Sequence, residues 1–136
     1  TKDWGLLYQT GTTAQLVGYT DADWAGNATD RRSTSGYAFS LGSVAIAWSN
    51  KKQLTVALSS TKAEYRGAAV ATCEAIWLKR LLKDLQEEVS DPTTIYCDNL
   101  NSIQLAKNPI LHTWTNHIEV HYHFVRELLL SGKVEL

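Results

Sequence analysis

Cysteine is scarce in this chain: 136 residues contain two, Cys73 and Cys97. The first falls in a helical pattern and the second in a strand pattern, which excludes a disulfide framework and predicts buried, reduced thiols of an intracellular protein. Proline is equally rare, and both Pro92 and Pro109 stand at element boundaries. No apolar run approaches the roughly 20 residues that a bilayer span requires, and no charged-then-apolar leader opens the chain. The sequence therefore reads as soluble, untargeted and without a membrane partner. Charge of one sign is lacking too: 13 Lys and Arg stand against 14 Asp and Glu, a net charge of −1. That excludes a global basic field to draw in nucleic acid, so any such binding must be local. The short groups Arg31-Arg32, Lys51-Lys52, Lys62 with Arg66, and Lys79-Arg80 with Lys83 could supply it; each is otherwise a solvated face.

Repeats, low-complexity tracts and linkers are also absent, and the length suits one core. A single domain over residues 1–136 follows, with residues 1–12 as an N-terminal connection. The first half reads as three antiparallel strands, at residues 15–24, 35–41 and 44–50, with Gly42-Ser43 as the tight connection of the last two. From Thr61 the period changes. Glu64, Ala68, Ala71, Ala75, Leu78, Leu82 and Leu85 recur in steps of four and three on one helical face. After Pro92, residues 93–97 read as a short apolar strand, which a right-handed crossover would lay parallel to the first strand. Helices are predicted over residues 100–107 and 115–130, with Gly132 as a C-terminal cap and residues 133–136 opening a last strand.

Three carboxylates lie at element ends in this pattern: Asp21 after the first strand run, Glu64 at the head of the buried helical stripe, and Asp98 after Thr94-Ile95-Tyr96-Cys97. Acidic groups gathered from separate elements repel one another and persist mainly where divalent cations offset their charge. The pattern therefore points to metal-assisted phosphoryl chemistry. Each residue has a structural alternative. Asp23 shares a strand face with Asp21 and could be the ligand instead, or serve a turn. Thr61-Lys62-Ala63-Glu64 has the spacing of a capping box, and Asp98-Asn99 could be a helix N-cap. His117 and His121 stand four apart with His123 nearby, a conceivable zinc pair that no further ligands complete. Trp24, Tyr65 and Trp114 are candidates for stacking against nucleic acid, with core packing the alternative for Tyr65.

Several stretches carry a family resemblance: Gly18-Tyr19-Thr20-Asp21-Ala22-Asp23-Trp24-Ala25-Gly26, Arg32-Ser33-Thr34-Ser35-Gly36-Tyr37, Trp48-Ser49-Asn50-Lys51-Lys52-Gln53, Val56-Ala57-Leu58-Ser59-Ser60-Thr61-Lys62-Ala63-Glu64-Tyr65, Tyr96-Cys97-Asp98-Asn99, and His117-Ile118-Glu119 with Tyr122-His123-Phe124-Val125-Arg126-Glu127. In this order they resemble the RNase H domain of copia-type retrotransposon Pol polyproteins. The resemblance implies an α/β, RNase H-like fold: a mixed five-stranded sheet, three antiparallel strands and then parallel ones, flanked by helices. It implies hydrolysis of the RNA strand of RNA–DNA hybrids with two Mg²⁺ ions, Mn²⁺ serving as a substitute. Asp21, Glu64 and Asp98 are then the catalytic, metal-binding residues. Substrate contacts would come from Ser60, Ala25, Gly26, Asn99 and Asn101, and the neighbouring partner would be a reverse transcriptase in one polyprotein, in a cytoplasmic particle or the nucleus.

The sequence departs from the family in three places. Leu100 replaces a usual glutamine, Trp114 and Asn116 replace a usual basic pair, and the fourth aspartate of a terminal helix is not among these residues. Weak cleavage is therefore expected, with Glu119 the first substitute to suspect. A catalytically weakened, co-opted fragment that binds nucleic acid or protein is the alternative, as is a homodimer through sheet surface that the terminal helix would otherwise cover. An integrase-like or exonuclease relative is a third reading.

Overall fold

Small or apolar residues alternate with exposed ones along Leu16–Asp23, the pattern of a strand packed on one face only. In the computed structural model, which describes Asp3, Gly5 and residues 15–87, 92–108 and 119–136 (119–122 as backbone only), this strand is β1 at the sheet centre. The other elements are β2 (Thr34–Leu41), β3 (Val44–Lys52), α1 (Ser60–Asp84), β4 (Thr93–Cys97), α2 (Leu100–Lys107), α3 (Glu119–Leu130) and β5 (Val134–Glu135). Strand order is β3-β2-β1-β4-β5. The pairs β1–β2 and β2–β3 are antiparallel, while β1–β4 and β4–β5 are parallel. The architecture is the mixed five-stranded RNase H-like one that the sequence predicts, and the three strand positions, the crossover and the last strand agree with it to within one or two residues.

Ser59 starts α1: its extended backbone precedes the helix and its hydroxyl accepts from Lys62 N–H. The helix lays Ala68, Ala71, Ala75, Leu78 and Leu82 against the sheet, where Leu16, Phe39, Ile95, Leu128 and Val134 complete the main core. Leu85 does not continue the stripe. It is the C-cap and is exposed, because Gln86 turns left-handed (φ 63°) and ends the helix there. Cys73 also departs from expectation, being exposed, since it lies on the helix face opposite the stripe; Cys97 is half-buried, and both are free thiols. Helix α3 is described from Glu119, so the predicted residues 115–118 lie outside the described residues. Its end is capped as predicted: Gly132 (φ 66°) lets its own N–H and that of Lys133 return to the carbonyls of Leu129 and Leu128.

Gly18 permits the close packing of β1 on β2. A methyl group there would stand 2.5 Å from Cε1 of Phe39, a ring that is itself fully buried and has nowhere to move. Gly18→Ala is expected to destabilise the fold by about 1–3 kcal/mol, the usual cost of overpacking, as a lowered urea midpoint with unchanged m-value would show. On the opposite sheet face, Tyr19 and Tyr96 pair across β1 and β4 with rings stacked at 5.4 Å. Those two rings and Trp48 are more than half exposed.

Candidate metal centre

Parallel pairing of β1 with β4 matches Thr20 to Cys97, so the chain positions just beyond, Asp21 and Asp98, leave the sheet at the same edge. Thr20 and Ala22 face α1, and by alternation Asp21 does not; it is exposed. Asp98 sits in a bend after β4 ends, which frees its side chain from strict alternation with Cys97. Glu64, on the first turns of α1 and in line with the packed stripe, points at the sheet. The α1 N-terminus is held there by several bonds. Gln53 Nε2 donates to Ser35 Oγ (2.6 Å) and to the Ala63 carbonyl (2.8 Å), and Trp24 Nε1 donates to the Ala57 carbonyl (3.1 Å). Gly67, with Thr20 Oγ1 at 3.3 Å from where a Cβ would lie, allows the close approach.

Glu64 is 6 % exposed. Its Oε1 accepts from Ala22 N–H at 3.2 Å, and its Oε2 is buried with no hydrogen-bond partner. Burial first, and then the charge of Asp98, push its pKa up to about 7 against the Ala22 hydrogen bond, with Asp21 adding a smaller push in the same direction. Ligand atoms of Glu64, Cys97 and Asp98 lie within 4.8 Å of one another. Asp21 is outside that group and acts on Glu64 through its charge. The capping-box alternative for Glu64 is not what forms, since Ser59 is the cap and Glu64 reaches β1 instead of Thr61. Nor does Asp98 cap α2: Asn99 does, its Oδ1 accepting from Ser102 N–H at 3.0 Å. Cys97 escaped the sequence reading as a site residue. The signal was its parity: with Thr20 facing α1, the residue paired to it must face α1 as well.

Ala25 takes a left-handed backbone (φ 53°), uncommon for a residue with a Cβ, and its N–H donates to the fully buried Ser33 hydroxyl. Beside it, the Asp23 carboxylate fills the space where Gly26 lacks a side chain. Ser60 and Asn101 are exposed in the first turns of α1 and α2. Tyr65 is core, whereas Trp24 is half exposed with its indole N–H already engaged. His123 is exposed; Trp114, Asn116, His117 and the side chains of Glu119 and His121 lie outside the described residues. Among the basic groups, Arg32 and Lys52 both contact Asp30, at 2.8 and 3.0 Å. The Arg32 backbone N–H and the Lys52 ammonium lead in holding Asp30 down to about 2.

An open mixed sheet with acids at the outgoing ends of its two central parallel strands, faced by a buried glutamate from the crossover helix, defines an RNase H-like domain with a candidate divalent-cation site. Retroelement proteins are among its relatives in sequence. Over all 136 residues the chain is 43% identical to part of the retrovirus-related Pol polyprotein from transposon RE2 of Arabidopsis thaliana. With that from transposon TNT 1-94 of Nicotiana tabacum it shares 43% identity, over 93% of the chain. It spans only 9% and 10% of those two proteins. A shorter similarity, 55% identity over 57% of the chain and 55% of the relative, is to secreted RxLR effector protein 161 of Plasmopara viticola. No family model matches the chain.

Proposed function

We propose that this domain is the ribonuclease H of a copia-type Pol polyprotein, hydrolysing the RNA strand of RNA–DNA hybrids beside a reverse transcriptase. The observation that carries this reading is the orphaned oxygen of Glu64: an ionised carboxylate buried with one oxygen unpartnered, next to a second carboxylate, is costly unless a cation joins them. Glu64 and Asp98 would hold Mg²⁺, with Asp21 contributing charge from the end of β1. Bound metal supplies an activated water and stabilises the leaving 3′ oxygen. The protein's own part is positional. The Ala22 N–H fixes one Glu64 oxygen, and in this reading the backbone of the turn at Ala25, left-handed at φ 53°, and of Gly26 would contact substrate 2′-hydroxyls. Asn99 caps α2 through its oxygen, which leaves its amide nitrogen to donate to substrate.

Single-turnover cleavage of a labelled RNA–DNA hybrid in Mg²⁺ and in Mn²⁺, with Asp21→Asn as background, tests the proposal. Cleavage above that background, restricted to the RNA strand, is expected. Hybrid binding without cleavage in either metal would replace it with the binding-module reading.

A further inference from the structure

Cys97 is the one residue of the three-ligand group that the nuclease reading does not use. Its thiol and the Glu64 and Asp98 carboxylates offer one sulfur and two oxygens mutually within 4.8 Å, and the buried Glu64 Oε2 lacks a partner there. A two-oxygen, one-sulfur set with an open side suits a small borderline-soft cation: zinc binds thiolate at about 2.3 Å and carboxylate at about 2.0–2.2 Å, and tolerates three protein ligands plus water. Mg²⁺ gains nothing from sulfur, and softer ions gain most.

The sulfur is available. Ser102 Oγ donates its proton to the Asn99 carbonyl at 2.8 Å, so in its 3.6 Å contact with Cys97 the thiol must be the donor and the serine oxygen the acceptor. Sulfur lone pairs are thus not spent on Ser102. On binding a cation, the thiol proton leaves to solvent and the Ser102 hydroxyl can turn to donate to the thiolate, so the new charge is not left unsupported. Strand parity keeps the sulfur in place, because Cys97 faces α1 through its pairing with Thr20.

We propose that Glu64, Asp98 and Cys97 form a mixed carboxylate–thiolate site that takes a thiophilic divalent cation, zinc or cadmium, in competition with Mg²⁺, so that zinc acts as an inhibitor of the domain. The inhibition rests on the nuclease reading; the binding does not. The test begins with the metal-free chain titrated with Cd²⁺ and followed by the ultraviolet sulfur-to-metal charge-transfer band. Zn²⁺ affinity is then measured by competition with a chromophoric chelator. Wild type and Cys73→Ser, which removes the exposed thiol on α1, should show the band and bind one zinc. Cys97→Ser should lose the band and weaken zinc at least tenfold. Absence of the band in wild type, or its loss in Cys73→Ser instead, overturns the proposal, as does equal zinc affinity in Cys97→Ser.

Cleavage assays separate the two ideas, each protein being compared with its own zinc-free rate. Zinc should inhibit wild type at concentrations at least tenfold below those needed for Cys97→Ser. A Cys97-dependent zinc site in a protein that cleaves no hybrid would leave the site standing and sink the nuclease reading. Hybrid cleavage with no such site would do the reverse.

Discussion

Asp98→Asn is expected to lower metal-dependent hybrid cleavage by about 10³-fold or more, which is about 4 kcal/mol of transition-state stabilisation, while leaving the metal-free fold as stable as before or slightly more so. The two halves of this result have separate causes. Cleavage falls because one of the two carboxylates nearest the candidate cation site loses its charge. Stability does not fall, because the cap of α2 is Asn99 and because the Asp98 charge opposes ionisation of Glu64. Single-turnover kinetics and thermal melts in chelator measure the two together. A metal-free loss beyond the roughly 1 kcal/mol of a lost cap would assign Asp98 a structural role and remove the reason for calling it a ligand.

The second large effect concerns pH. Glu64 is a carboxylic acid whose native pKa is raised to about 7 from 4.5, so between those values the native state retains a proton that the unfolded chain releases. Stability attributable to Glu64 is therefore full below about pH 4.5 and lost as pH rises towards 7. The loss amounts to about 3 kcal/mol, since each tenfold difference in proton affinity between the folded and unfolded states is worth about 1.4 kcal/mol. Metal-free urea melts from pH 4.5 to 7.5 should show wild type losing that stability relative to Glu64→Gln, which has no proton to lose. Saturating Mn²⁺ should reverse the trend for wild type, since the ion binds only the ionised carboxylate. Parallel curves for the two proteins would show that the Glu64 proton is not coupled to folding.

Much of this was legible in the sequence, for reasons particular residues make plain. Period-two alternation at residues 16–23 and the four-and-three stripe from Glu64 to Leu82 determined which faces pack, and hence that a glutamate would be driven into the sheet. The crossover rule put β4 beside β1 and so Asp98 near Asp21. Pattern could not tell how far each side chain reaches. Glu64 had two destinations compatible with its position, the Thr61 amide and the β1 backbone; the local Ser59 cap removes the need for the first, and the Ala22 N–H, 42 positions away in sequence, supplies the second. Cys97 was read as packing because a thiol in an apolar strand carries no charge to mark it. Its place in the ligand group follows from register, and register is a property of two strands together.

The hydrogen bond from Ala22 to Glu64 joins residues 42 positions apart, and the ladder that aligns Thr20 with Cys97 closes a still longer loop. The ligands Glu64, Cys97 and Asp98 all fall within residues 64–98, yet the strand that aligns them, β1, lies outside that stretch. Long-range closures of this kind make assembly slow compared with helix formation. A cation added during refolding would find no competent site until β1, α1 and β4 have all docked, so the appearance of metal affinity would time the docking of these three elements and not an early collapse.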